Sequence, residues 1–135
     1  MKILIINGPN LNLLGTREPE IYGSVSMEDY LNELKKEFSS DDISYYQSNI
    51  EGELINRLQE DDFETVIINP GAFTHYSYAI SDCLKNIKKP KVEVHISNIY
   101  KREEFRKKSV TAENCDAVIS GFGMKGYKLA IQSFT

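Results

Sequence analysis

Thr65-Val66-Ile67-Ile68-Asn69-Pro70-Gly71 is the stretch from which the fold can be read. It is a strand apolar on both sides, as a parallel strand buried between two layers tends to be. Asn69 ends the apolar run and Pro70-Gly71 turns the chain. Working outward, four more short runs read as strands: Lys2–Asn7, Ile43–Gln47, Val92–Ile96 and Ala117–Ser120. Helical patterns separate them. Met27, Tyr30, Leu31, Leu34 and Phe38 mark one face of a helix capped by Ser26, with Glu28 and Asp29 in its first turn. Ser48 or Asn49 is expected to cap a second helix carrying Ile50, Leu54, Ile55 and Leu58. Thr74 is expected to cap a third, with Tyr76, Ile80, Cys83, Leu84 and Ile87 on its stripe, stopped by Lys88-Lys89-Pro90. Lys101–Lys107 reads as a short helix or helical loop. Gly121, Gly123 and Gly126 lead into a last helix with Leu129, Ala130 and Phe134.

Strands alternating with helices define βαβ units and a parallel sheet. Five strands in 135 residues predict one α/β domain over 1–135, a flavodoxin-like three-layer sandwich with a five-stranded parallel sheet. Apolar residues make up 41%, enough for a core, and no apolar run approaches membrane-spanning length. Met1 leads straight into the first strand, so a cytoplasmic protein without a targeting peptide is expected. The net charge of −4 argues against broad nucleic-acid binding. The basic run Lys101-Arg102 and Arg106-Lys107-Lys108 is either a solvated face or a local anion site. Two cysteines and two histidines lack metal-ligand spacing, and Cys83 on an apolar stripe reads as a small core residue.

Ligands of such sheets bind outside the carboxyl ends of the strands. Those ends carry Asn7 onward, Asn69 to His75, and His95 to Ser97. The segment Asn7–Gly23, NGPNLNLLGTREPEIYG, is long for a connection in a compact domain and rich in asparagine, glycine and proline. With no GxxxxGK[ST] or GxGxxG present, nucleotide binding has little support. A receiver-type signalling module would need clustered carboxylates after the first strand, and none are there. What remains is acid–base chemistry on a small polar or anionic substrate. Tyr22 is either a base, its pKa lowered by Arg17 five residues away, or a ring packed beneath the loop. Glu93 and His95 share a strand face at i, i+2, so the carboxylate can orient the imidazole. Ile96 and Ser97 offer backbone N–H groups and a hydroxyl to an anion, or simply end the strand. Asn69 and His75 flank the Pro-Gly-Ala-Phe-Thr turn, and Asp82 reads as an ordinary helix aspartate.

Taken together, these blocks resemble the type II 3-dehydroquinate dehydratases. The resemblance rests on Asn7–Gly23, Asn69-Pro-Gly-Ala-Phe-Thr-His75, Glu93-Val-His-Ile-Ser-Asn98, Arg102-Glu-Glu-Phe-Arg106 and Gly121–Tyr127, in order along nearly the whole chain. It implies a lyase that dehydrates 3-dehydroquinate to 3-dehydroshikimate by anti elimination through an enolate. The step serves the shikimate pathway of aromatic amino acid biosynthesis, or quinate breakdown. No metal or cofactor is implied. The implied assembly is a homododecamer, a tetramer of trimers. The resemblance makes Tyr22 the base, Arg17 the cation that favours its tyrosinate, and Asn10 a residue stabilising the enolate through a water. His95 becomes the acid, oriented by Glu93. Asn69, His75, Ile96, Ser97 and Arg106 become substrate-binding, and Asp82 reaches a neighbouring subunit's site. Tyr100 and Thr111–Asp116 depart from the family's usual residues, and they are expected to affect loop structure and subunit contacts rather than chemistry.

Overall fold

In the computed structural model, which describes residues 1–15 and 25–134, the apolar runs form five parallel strands: β1 Lys2–Asn7, β2 Asp42–Gln47, β3 Thr65–Asn69, β4 Lys91–His95 and β5 Ala117–Ser120. Their order is β2-β1-β3-β4-β5. All four pairings are parallel. The four α-helices are α1 Met27–Glu37, α2 Glu51–Gln59, α3 Tyr78–Asn86 and α4 Lys125–Ser133. This is the flavodoxin-like order, and it reverses direction between β1 and β3.

Period-2 alternation sorts the central strands onto two cores. Ile3, Ile5, Ile67, Val92 and Val94 face a cluster completed by Leu31, Leu34, Ala130 and Ile131 of α1 and α4. Leu4, Ile6, Val66 and Ile68 face the opposite cluster, completed by Leu54, Leu58, Ile80, Cys83 and Leu84 of α2 and α3. Every residue of β3 is buried, as a strand with a layer on each side requires. Cys83 lies in the second core as a free thiol.

Helix starts follow hydroxyl geometry rather than the first polar residue. Ser26 caps α1 as read, accepting from the Asp29 N–H at 3.1 Å. Thr74 does not cap α3. It is fully buried in a 3-10 turn, Gly71–His75, and Ser77 caps the helix instead, accepting from the Ile80 N–H at 3.0 Å. Tyr76 therefore falls outside the helix and is exposed. Neither Ser48 nor Asn49 caps α2. The N-cap is Ile50, whose own side chain is exposed, and the Ser48 hydroxyl accepts from the Ile50 N–H at 2.9 Å. Between β4, which ends at His95 rather than Ile96, and β5 the chain makes three 3-10 turns: Ile99–Lys101, Glu104–Arg106 and Ala112–Asn114. Of the two readings of Lys101–Lys107, a short helix or a helical loop, the structure has the helical loop, built on two 3-10 turns. No helix among the described residues is long and apolar enough to cross a membrane.

Candidate active site

The carboxyl ends of β1, β3 and β4 open into one cavity of about 190 Å³. Its floor comes from two loops that touch. The Gly8 N–H donates to the Asn69 carbonyl at 2.8 Å, and a Cβ on Gly8 would lie 2.2 Å from the Pro70 carbonyl oxygen. Only glycine lets β1 and β3 end this close together. Asn10 follows in the left-handed region, φ 69°, and its N–H donates to the Asn49 carboxamide oxygen at 2.9 Å. Asparagine tolerates that conformation better than most residues. Leu11 and Leu14 then bury themselves in the core and fix this end of the long loop.

Glu93 and His95 lie on the α3 side of β4. The His95 Nε2–H donates to Glu93 Oε2 at 2.7 Å, leaving Nδ1 for the cavity that His95 lines. Both side chains are buried. A carboxylate there needs donors, and the fold supplies three hydroxyls. Thr111 makes a short bond to Oε1, Ser109 donates to Oε2 at 2.9 Å, and Thr74 lies 3.3 Å from Oε2. Ser109 and Thr111 spend their protons on Glu93, so Thr74, 2.7 Å from Ser109 Oγ and 2.8 Å from Thr111 Oγ1, has a single proton to share among these oxygens and the carboxylate. Burial alone would raise the Glu93 pKa. The hydrogen bond and charge of His95, with the Thr111 and Ser109 hydroxyls, outweigh it and hold the carboxyl below its ordinary value. Glu93 thus stays ionised beside the imidazole.

Other cavity residues are held by their turns. The His75 Nδ1–H donates to the Lys108 carbonyl at 2.7 Å, which fixes the tautomer and leaves Nε2 toward the cavity. The Ile96 carbonyl accepts from the Gly123 N–H at 2.9 Å and the Ser97 carbonyl from the Ser120 hydroxyl at 3.2 Å. Arg106 pairs with Glu103 at 2.8 Å and sits 5.0 Å from the Phe105 ring centroid. Arg102, one turn earlier and half-buried, lines the same wall. Two guanidinium groups beside two imidazoles suit an anionic ligand.

Asn10, Asn69, His75, His95, Ile96, Ser97 and Arg106 therefore line one cavity. Glu93 stands behind it, through His95. Asp82 does not line it; the residue is exposed on α3. Arg17 and Tyr22 lie outside the described residues. Among the described residues, no three His, Cys, Asp or Glu side chains form a group able to hold a metal. Sequence reasoning offered Arg102 only as part of a basic run, as a solvated face or a local anion site, and missed Thr74, Ser109 and Thr111 as partners of Glu93. Arg102 stands at i−4 from Arg106, a usable signal. The hydroxyls carry none, because they reach Glu93 from 16 to 19 positions away. Thr111, in the segment expected to affect loop structure and subunit contacts rather than chemistry, touches the Glu93 carboxylate itself.

Fold and site together define an α/β protein whose cavity, at the carboxyl ends of a parallel sheet, sets an imidazole–carboxylate pair beside two guanidinium groups, a lining suited to a small anion. The chain belongs to the dehydroquinase class II family, whose model matches residues 1–135. It is 56% identical over 134 residues to the 3-dehydroquinate dehydratase of Thermotoga petrophila, covering 98% of this chain and 93% of the relative. The enzyme of the same name from Clostridium botulinum is 54% identical, with 96% and 91% covered. The crystal structure of type II dehydroquinase from Butyrivibrio crossotus superposes with a TM-score of 0.94 at 49% identity, covering 98% of this chain and 96% of that one. The type II dehydroquinase from Propionibacterium acnes gives 0.94 at 40% identity, with 99% and 96% covered.

Proposed function

We propose that the chain, as a single domain, dehydrates 3-dehydroquinate to 3-dehydroshikimate in this cavity, by anti elimination through an enolate. The reaction is that of its family and of the relatives that carry the name, and it places the chain in the shikimate pathway. The observation that carries the assignment to this cavity is the buried His95–Glu93 pair beside Asn10, Asn69 and the Ile96-Ser97 backbone. A proton alpha to a ketone is weakly acidic, so the enolate oxygen must be stabilised. Tyr22, kept as tyrosinate by Arg17, takes that proton. Asn10 holds the enolate oxygen through a water. His95 gives its proton to the departing hydroxyl, which leaves as water, and the new double bond is conjugated with the ketone. Ile96 and Ser97 hold the substrate carboxylate through their N–H groups. Asn69, His75 and Arg106 bind the rest of the substrate.

The same reading includes a dodecamer in which Asp82 serves a neighbouring subunit's cavity. The exposure of Asp82 and its absence from the lining of its own subunit's cavity support that role. A cytoplasmic location is supported by two cysteines that are both free. The reading invokes no metal or cofactor.

Ultraviolet absorbance of the conjugated product tests the reaction directly. Purified protein, freed of metal by a chelator, should turn over 3-dehydroquinate, and no turnover would overturn the reading. Tyr22→Phe should lower kcat by at least about 10²-fold while substrate still binds. A wild-type kcat would remove Tyr22 from the role of base.

A further inference from the structure

The Asn69 carboxamide is gripped from both sides. Its Oδ1 accepts from the Gly71 N–H at 3.1 Å, and its Nδ2 donates to the Tyr127 hydroxyl at 3.0 Å. Tyr127 is fully buried and belongs to α4, on the far side of the sheet layer from Glu93. Its hydroxyl donates in turn to Asn7 Oδ1 at 2.8 Å, and Asn7 Nδ2 donates to the Tyr45 hydroxyl at 3.2 Å. The sheet register places Asn7 directly beside Asn69, so one phenol spans both.

The direction of every bond in this chain is determined. The Gly71 N–H can only donate, so the atom of Asn69 that meets it must be oxygen. Nδ2 then faces Tyr127, whose hydroxyl must accept from it and spend its single proton on Asn7. Asn7 must therefore present oxygen to Tyr127 and its amide nitrogen to Tyr45. Reversing Asn69 would set its amide nitrogen against the Gly71 N–H, and reversing Asn7 would leave the buried Tyr127 proton without an acceptor. Burial pushes the Tyr127 phenol well above its ordinary pKa, against the lowering bonds from Asn69 and Asn7, so it keeps that proton at working pH. One Nδ2–H of Asn69 is thus committed, and the second is left for the cavity.

We infer that Tyr127 is a positioning residue of the active site: with the Gly71 N–H it locks the Asn69 carboxamide so that one amide proton always points to the substrate and the oxygen never does. The cavity at this position then accepts a hydroxyl or carbonyl oxygen as acceptor. The inference rests on the proposed role of Asn69 in binding substrate. Helix α4 can deliver the phenol because Gly126 lets it close on the sheet; a Cβ there would meet Val94 Cγ1 at 3.0 Å.

A double-mutant cycle read by steady-state kinetics tests this on the full-length enzyme. Tyr127→Phe keeps the ring and removes the hydroxyl. It should raise KM about tenfold, the equivalent of about 1.4 kcal/mol, with kcat changed far less. In an Asn69→Ala background the same substitution should change KM less than about twofold. An equal loss in both backgrounds would make Tyr127 merely structural and overturn the inference, as would a wild-type KM for Tyr127→Phe alone. Should that variant fail to fold, Asn69→Asp takes its place, since it puts an oxygen where the locked amide proton stands. A KM raised at least about tenfold supports the lock, and an unchanged KM overturns it. Asn69→Ala with a wild-type KM would instead sink the substrate-binding role of Asn69, and the inference with it. Additive losses alongside an impaired Asn69→Ala would overturn the inference alone.

Discussion

Glu93 gathers more buried donors than any other carboxylate described, and each has a consequence for stability. Thr111→Val keeps the shape of the side chain and removes one hydroxyl, leaving the carboxylate a donor short. Such a loss costs about 1–3 kcal/mol. The sign with pH follows from the lowered pKa. The contribution of Glu93 is fully present above the ordinary glutamate value of 4.5, and it is lost as pH falls through the lower folded value. The cost of Thr111→Val should therefore be largest above about pH 4.5 and shrink in more acid solution. Urea unfolding at several pH values reads this, and a pH-independent cost would contradict it. The pairing of Glu93 with His95 was legible because a strand places i and i+2 on one face. Thr74, Ser109 and Thr111 were not, since no local pattern reports a hydroxyl that arrives from another loop. Thr74 was misread as a cap for the same reason: its hydroxyl looked free for a helix, and Glu93 had already claimed it.

The central strands were the most legible elements, because burial on both faces leaves a continuous apolar run, although β4 stops one residue before its run does. The start of α3 was less so, since Thr74 and Ser77 are equally good caps by type and only the tertiary bond decides between them. Ile50 shows the converse: an apolar residue at helical spacing that the α2 start leaves exposed. The contact between the β1 and β3 loops makes a prediction of its own. In Gly8→Ala the new Cβ would meet backbone, which cannot step aside, so the two loops must part and carry Asn10 away from Asn69. A loss of about 1–3 kcal/mol in stability, or more, is expected together with a fall in kcat/KM. Gly52→Ala is the contrast. It lies exposed in α2 with nothing within 4 Å of the added Cβ. In the first turn of a helix, where alanine fits without strain, removing glycine should stabilise by about 0.4–1 kcal/mol through the unfolded chain. Thermal unfolding of both variants distinguishes close approach from mere glycine content, and equal shifts would refute the contact as the cause.

On the scale of the whole molecule, sheet order and layering were legible from the alternation of elements, whereas the assembly entered only through resemblance. Exposed Tyr78 and Asp82 lie one turn apart on α3, and exposed Tyr76 flanks them. Ser77 bonds Glu51 at 2.6 Å, which brings exposed Ile50 into the same neighbourhood. Aromatic and aliphatic side chains grouped at a surface are what a subunit contact would cover. Light scattering should give a mass near twelve chains, and a stable, fully active monomer would refute the role of Asp82 across subunits. The central strands carry one more consequence. Ile3–Asn7, Thr65–Asn69 and Lys91–His95 are buried throughout, and Asn7, Asn69, Glu93 and His95 are attached to them. Backbone amides in such strands exchange with solvent only when the entire fold opens. The strand-borne half of the site accordingly has no local opening of its own: its lifetime in the active arrangement is the lifetime of the native state.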